Sequence, residues 1–336
     1  MNIRISYSCF CAYVYIVASV IILRLTPLPY MYKSLLAQPA LIAFPYLIGK
    51  PIVLVVKKLI IRAYGKQTPV IRIMEAWATG VIFIVVLEAL LYVNYVFEAN
   101  LFFLGMLPIC LFSIFSPGDS QKYDQNREYE INRWTYLALI LGVIFSALIT
   151  MYWNYPYASD GDYLNHTYRT LMIVNRNRPI LFYAYLPAMH TLYAALIILF
   201  NIKSLEGAFY LLWSSRFILC PLYALGVYIL SNILFKDRDL SLIAVVVALS
   251  IITHSEASFC AWHTAPKNYI FILFVYALFA HNQLCGFLAR EKNKRLLIRF
   301  LIHLWIVSVS LWLALYLIQL RLIGYQIAYI LSLIHI

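Results

Sequence analysis

Residues 180 to 200, ILFYAYLPAMHTLYAALIILF, decide how this chain is threaded. The run is apolar and close to the roughly 20 residues that cross a bilayer as a helix. If it crosses, every later loop changes side. Two basic loops then constrain the choice, Lys57, Lys58, Arg62, Lys66 and Arg72 in the first and Arg290, Lys292, Lys294, Arg295 and Arg299 in the second. Short basic loops stay in the cytoplasm. Both of these do so only if 180–200 does not cross fully and lies instead as an interfacial or re-entrant helix, which is the reading adopted.

Outward from that run, apolar segments predict spans near 5–25, 36–56, 73–93, 100–116, 134–153, 207–234, 240–256, 268–289 and 300–320. The amino terminus, Lys122, Arg127, Arg133 and the Lys236–Asp239 turn then share the cytoplasmic side, while 155–205 and 254–267 face outward. The first run is long for a signal peptide and lacks a small-residue cleavage site, so it is read as a span. The 336 residues are 64% hydrophobic and 12% charged, with a mean hydropathy of +0.81. This composition excludes a soluble globular class and predicts an all-α, polytopic transmembrane bundle. The net charge of +12 is concentrated in short loops, so it is read as a topology and lipid-contact signal and not as a nucleic-acid surface. The six cysteines show no metal-ligand spacing and no disulfide framework.

Charge is costly in hydrocarbon, so chemistry is expected in polar interruptions. The richest is 155–178, YPYASDGDYLNHTYRTLMIVNRNR. Ser159 and Asp162 have capping-box spacing and predict a helix to about Val174. On it, His166 and Arg169 each fall within about 40° of Asp162. A carboxylate with His and Arg beside it suits transfer to a hydroxyl, which needs a base near the attacking oxygen and positive charge near a departing phosphate. The same spacing also suits a capped helix whose His166 and Arg169 simply meet solvent.

Asp160-Gly161-Asp162 with His166, then Pro179, then Tyr185-Leu186-Pro187-Ala188-Met189-His190-Thr191-Leu192, resembles the first outer loop of GT-C superfamily glycosyltransferases. Ser215-Arg216 through Tyr228, Phe235-Lys236 and the apolar 242–252 are similar to the stretch that follows in that family, so the resemblance covers about 134–290. It departs where Tyr-Leu-Pro stands for the more usual Tyr-Pro-Pro. The resemblance implies a GT-C-like bundle with interfacial helices in the outer loop. It also implies an inverting enzyme in the plasma (inner) membrane that takes a sugar from a polyprenyl-phosphate carrier and acts on the extracytoplasmic face. By position, Asp162 would be the catalytic carboxylate, with Asp160 assisting or capping. His166, Arg169, Arg176, Arg178, His190 and Arg216 would attend the donor phosphate or substrate. In a second outer loop, Glu256 and His254 match loosely, and Asp162 with Glu256 would hold Mg or Mn if a metal is used.

Arg216 is read either as facing a cavity, phosphate or acid, or as interfacial on a helix that begins near Trp213. Glu75 and Glu88 are read as end-of-helix or interhelical contacts. The chain divides into an amino-terminal bundle of about four spans (1–133), a core (134–330) expected to be truncated, and Leu331–Ile336. That last stretch, LSLIHI, matches the translation of a common sequencing adapter and is expected to be adapter-derived. The rival readings are a transporter or flippase of lipid-linked sugars, and a non-catalytic subunit of a glycan-assembly complex. The acceptor, glycan or protein, is left open.

Overall fold

The computed structural model describes residues 6–60, 69–94, 96–115, 133–152, 161–176 and 188–253. Those residues form helices and no strands: α1 Tyr7–Leu25, α2 Tyr30–Ala37, α3 Ala40–Ile60, α4 Pro69–Val93, α5 Ala99–Phe112, α6 Arg133–Tyr152, α7 Gly161–Arg176, α8 Ala188–Leu199, α9 Leu205–Ser214, α10 Arg216–Phe235 and α11 Arg238–Thr253. Four stretches are long and apolar enough to cross a membrane: Tyr7–Leu25, Tyr30–Val55, Ala76–Val93 and Leu205–Asn232. Exposed Phe10, Val14, Ile21 and Ile22 on α1, and Leu240, Ile243 and Val247 on α11, form apolar outer faces of the kind lipid covers. These features are consistent with a multi-pass membrane protein.

The expected span at 36–56 starts earlier, because α2 and α3 run on through a break at Gln38–Pro39. The span at 100–116 is shorter than expected. Its helix, α5, has 14 residues, about 21 Å at 1.5 Å per residue, against a hydrocarbon core of about 30 Å. Glu98 starts α5, its carboxylate accepting from the Asn100 and Leu101 N–H groups at 3.2 and 2.5 Å. The spans at 268–289 and 300–320, and residues 331–336, lie outside the described residues.

Two glycines bring α3 and α4 into backbone contact. A Cβ on Gly49 would collide with Ala76 O, and one on Gly80 with Pro45 O, so the antiparallel pair tolerates no side chain at either place. Close approach through small residues is how helices associate where no water drives them together. The pair α6 and α10 repeats the device, with Gly142 against Pro221, and α11 joins them through Val245 and Leu249 packed near Ala138 and Ala224. The larger core is built by α1–α5 with α7–α9.

Ser6 N–H donates to Ile114 O at 3.0 Å, so the start of α1 meets the chain just after α5. At the opposite end, Arg24 reaches Leu199 O and Ile198 O and Lys203 reaches Asn100 Oδ1 at 2.7 Å. Helix α2 lies along α9 through Ser34 to Gly207 O and Gln38 to Leu211 O.

Within 180–200 the described helix is only the 12 residues of α8, about 18 Å long. Every residue from His190 to Phe200 is buried, enclosed by α3, α4, α5, α7 and α9. The described part of the segment read as interfacial or re-entrant is thus a short enclosed helix, and 180–187 lie outside the described residues. Its apolar residues point all round and have to be covered on every side.

Candidate functional site

Helix α7 is amphipathic, and the side that packs inward is made of His166, Thr167, Thr170, Leu171, Ile173 and Val174, all buried. Leu164 and Tyr168 are exposed on the other side. The helix begins at Gly161 and ends at Arg176, two residues beyond the expected Val174. Asp162 lies in its first turn, where a carboxylate favours the helix dipole; its side chain is outside the described set. Arg169 is half-buried, Arg176 is exposed in the last turn, and Thr170 returns a hydrogen bond to His166 O at 2.8 Å.

His166 does not meet solvent, one of the two roles its spacing allowed. Its Nδ1 lies 2.9 Å from His190 Nε2, with the two rings 5.1 Å apart and inclined at 37°. One imidazole donates and the other accepts. Twenty-four residues separate the pair in sequence, and the packing of α7 on α8 brings them together. Arg169 is near enough for its charge to act on His190. The other ring nitrogen of His190 has no partner and the ring is wholly buried.

The next residue of α8 extends the polar cluster to a third helix. Thr191 Oγ1 donates to Glu88 Oε2 of α4 at 2.8 Å, both side chains being fully buried, while Glu88 Oε1 has no partner. Glu88 is therefore an interhelical contact, and its partner was invisible in the sequence because α4 and α8 are 103 positions apart at this contact. Buried polar groups inside a membrane bundle mark functional positions. Here two buried polar contacts leave α8 at adjacent residues, His190 to His166 of α7 and Thr191 to Glu88 of α4.

Arg216 is buried away from this cluster, at the break between α9 and α10. Its Nε donates to Trp213 O at 2.9 Å and its guanidinium stacks 4.6 Å from the Trp213 ring centroid. Helix α10 begins at Arg216 itself, three residues after Trp213, and follows α9, which starts at Leu205 and is capped by Ser204. Lys50 is a further buried cation that the sequence reading passed over. It sits in α3 with its Nζ 2.8 Å from Ser6 Oγ and 3.2 Å from Cys9 Sγ. The only available signal was a lysine inside an apolar span.

Asp160, Arg178, His254 and Glu256 lie outside the described residues. Among the described side chains no group of three or more His, Cys, Asp or Glu is arranged to hold a metal ion. Asp162 and Glu256, the pair named for one, are not in that set. Comparison with protein-family models, with characterised proteins and with solved structures finds no match to this chain.

Proposed function

We propose that this protein is a GT-C-like membrane glycosyltransferase. It would move a sugar from a polyprenyl-phosphate carrier to a cell-envelope acceptor on the outer face of the plasma membrane, with inversion. The observation that supports the reading best is the buried 2.9 Å contact between His166 and His190. It joins the helix that carries Asp162 to α8, which follows Tyr185-Leu186-Pro187 in sequence, so it links the two motifs on which the resemblance rests.

In this reading Asp162, one turn before His166, takes the acceptor proton as carbon–oxygen bond formation at the anomeric centre expels the carrier phosphate. Asp160 assists. Arg169, and Arg176 and Arg178 beyond it, supply positive charge to the phosphate as it departs. His166 and His190 fix the relation of α7 to α8. A divalent ion, if used, would be held by Asp162 and Glu256 and would bind the same phosphate oxygens.

Sugar release from a panel of radiolabelled polyprenyl-phosphate monosaccharides, by membranes containing the protein, tests the reading. Transfer that falls about 10³-fold or more in Asp162→Asn, at matched expression, is the expected result for loss of a catalytic base. Transfer unchanged by the substitution removes Asp162 from the mechanism. A transporter of lipid-linked sugars has one observation in its favour, the burial of Lys50 and Glu88 inside candidate spans. Donor movement across vesicles without sugar release would decide for it.

A further inference from the structure

Helix α8 has no lipid-facing side and no long span to anchor it, yet it presents His190 to His166. The ends of this short helix explain how it is held. At its carboxyl end, Phe200 N–H bonds to Leu196 O at 2.9 Å and Ile202 N–H to Ile197 O at 2.9 Å, around Asn201 at φ 55°. This is a Schellman closure with asparagine in the left-handed position. Asn201 N–H reaches Ile198 O at 3.4 Å, and Arg24 of α1 donates to that same carbonyl and to Leu199 O, at 2.6 and 3.0 Å. At the amino end, Thr191 stands in the first turn and donates to the carboxyl of Glu88 from α4. A helix carries partial positive charge at its start and negative charge at its end. An acceptor from α4 meets the first and a guanidinium from α1 meets the second.

We propose that Glu88, Thr191 and Arg24 form a two-ended clamp that sets the position of α8 and thereby holds His190 against His166. They are positioning residues for the transfer proposed above, and in that respect the inference rests on that reading. Glu88 acts as a hydrogen-bond acceptor for Thr191, so glutamine, which keeps a carbonyl oxygen there, serves in its place. Alanine at 88 or valine at 191 releases the start of α8. The vacant nitrogen of His190, next to Thr191 in the chain, then becomes reachable.

The test uses the full chain in detergent and two readouts. The first is kinetic: Glu88→Ala and Thr191→Val lower kcat about tenfold or more with KM little changed, while Glu88→Gln and Thr191→Ser stay within about threefold of wild type. The second is independent of activity, using diethylpyrocarbonate acylation of His190 read by mass spectrometry, with maleimide reaction of buried Cys110 as the control for global loosening. His190 is expected to be protected in wild type, Glu88→Gln and Thr191→Ser, and acylated in Glu88→Ala and Thr191→Val, with Cys110 unreactive throughout. Protection of His190 in all variants, exposure of Cys110 together with His190, or a glutamine variant as impaired as alanine overturns the clamp. If no protein, wild type included, transfers sugar, the glycosyltransferase reading fails, and the acylation pattern alone decides the clamp.

Discussion

Helices α6, α10 and α11 meet through small and apolar groups, whereas α8 meets α7 and α4 through buried polar ones. In the first region Gly142 lies against Pro221, and Ser146 spends its hydroxyl on Gly142 O and Arg216 O at 2.8 and 3.1 Å. In the second, imidazole, hydroxyl and carboxyl groups face one another at 2.8–2.9 Å with two polar atoms left over. Contact through small residues stabilises by dispersion, and in that region too the Tyr228 hydroxyl is buried without a hydrogen-bond partner. A buried polar contact that leaves atoms unpaired costs free energy and persists where those atoms are used. The difference teaches where to look for chemistry in a molecule that is apolar nearly everywhere.

The substitutions that bear hardest on this contrast are the glycines. Gly80→Leu drives a side chain into the Pro45 carbonyl and is expected to cost more than about 3 kcal/mol, the top of the usual overpacking range, seen as loss of the monodisperse species in detergent. Gly142→Leu should separate α6 from α10 yet leave His190 protected from diethylpyrocarbonate. Acylation of His190 in that variant would break the contrast, because the two regions would then be one cooperative unit. Next in size is His190→Ala, which removes the buried ring that meets His166 Nδ1. It is expected to cost about 1–3 kcal/mol in thermal unfolding and to abolish transfer. Arg24→Met removes the guanidinium bonds to Ile198 O and Leu199 O, at about 1 kcal/mol because these bonds are only part-buried and Ile198 O keeps Asn201 N–H.

A smaller effect depends on pH. Hydrogen bonds from the Asn100 side chain and the Leu101 N–H hold the Glu98 carboxyl below its ordinary value of 4.5. A lowered carboxylate stabilises the fold above that ordinary value, and the contribution is lost as pH falls through the lowered one. The difference in melting temperature between wild type and Glu98→Ala should therefore shrink as pH drops from 4.5. Smallest of all is Gly105→Ala, whose added methyl meets nothing within 4 Å and which should change stability by no more than about 0.5 kcal/mol.

Much of this architecture is readable from hydropathy, because a helix in lipid has to be apolar over a fixed length. The stretches 5–25, 73–93 and 207–234 correspond to α1, α4 and the joined α9 and α10. What hydropathy does not give is where a helix begins inside an apolar run. The run 180–200 is uniform in hydrophobicity, and the helix described within it, Ala188–Leu199, follows Pro187 in sequence, a residue type that favours helix starts. The α2–α3 break was likewise marked by Pro39. His166 was legible as part of a stripe, but its partner was not. Spacing along one helix says nothing about a residue on another, and only the quoted motif placed His190 nearby. Glu88 and Lys50 were the hardest to interpret, since their roles lie entirely in what α8 and α1 bring to them.

Lys50 also bears on how the chain is made. Its ammonium is shielded by Ser6 and Cys9, which belong to the start of α1, and by the Tyr46 ring at 5.7 Å. Ribosomal synthesis runs from the amino terminus, so the groups that shelter this cation enter the bilayer before it does. Insertion of α3 then brings Lys50 to a helix already made, where the Ser6 hydroxyl and Cys9 thiol at the start of α1 receive its ammonium.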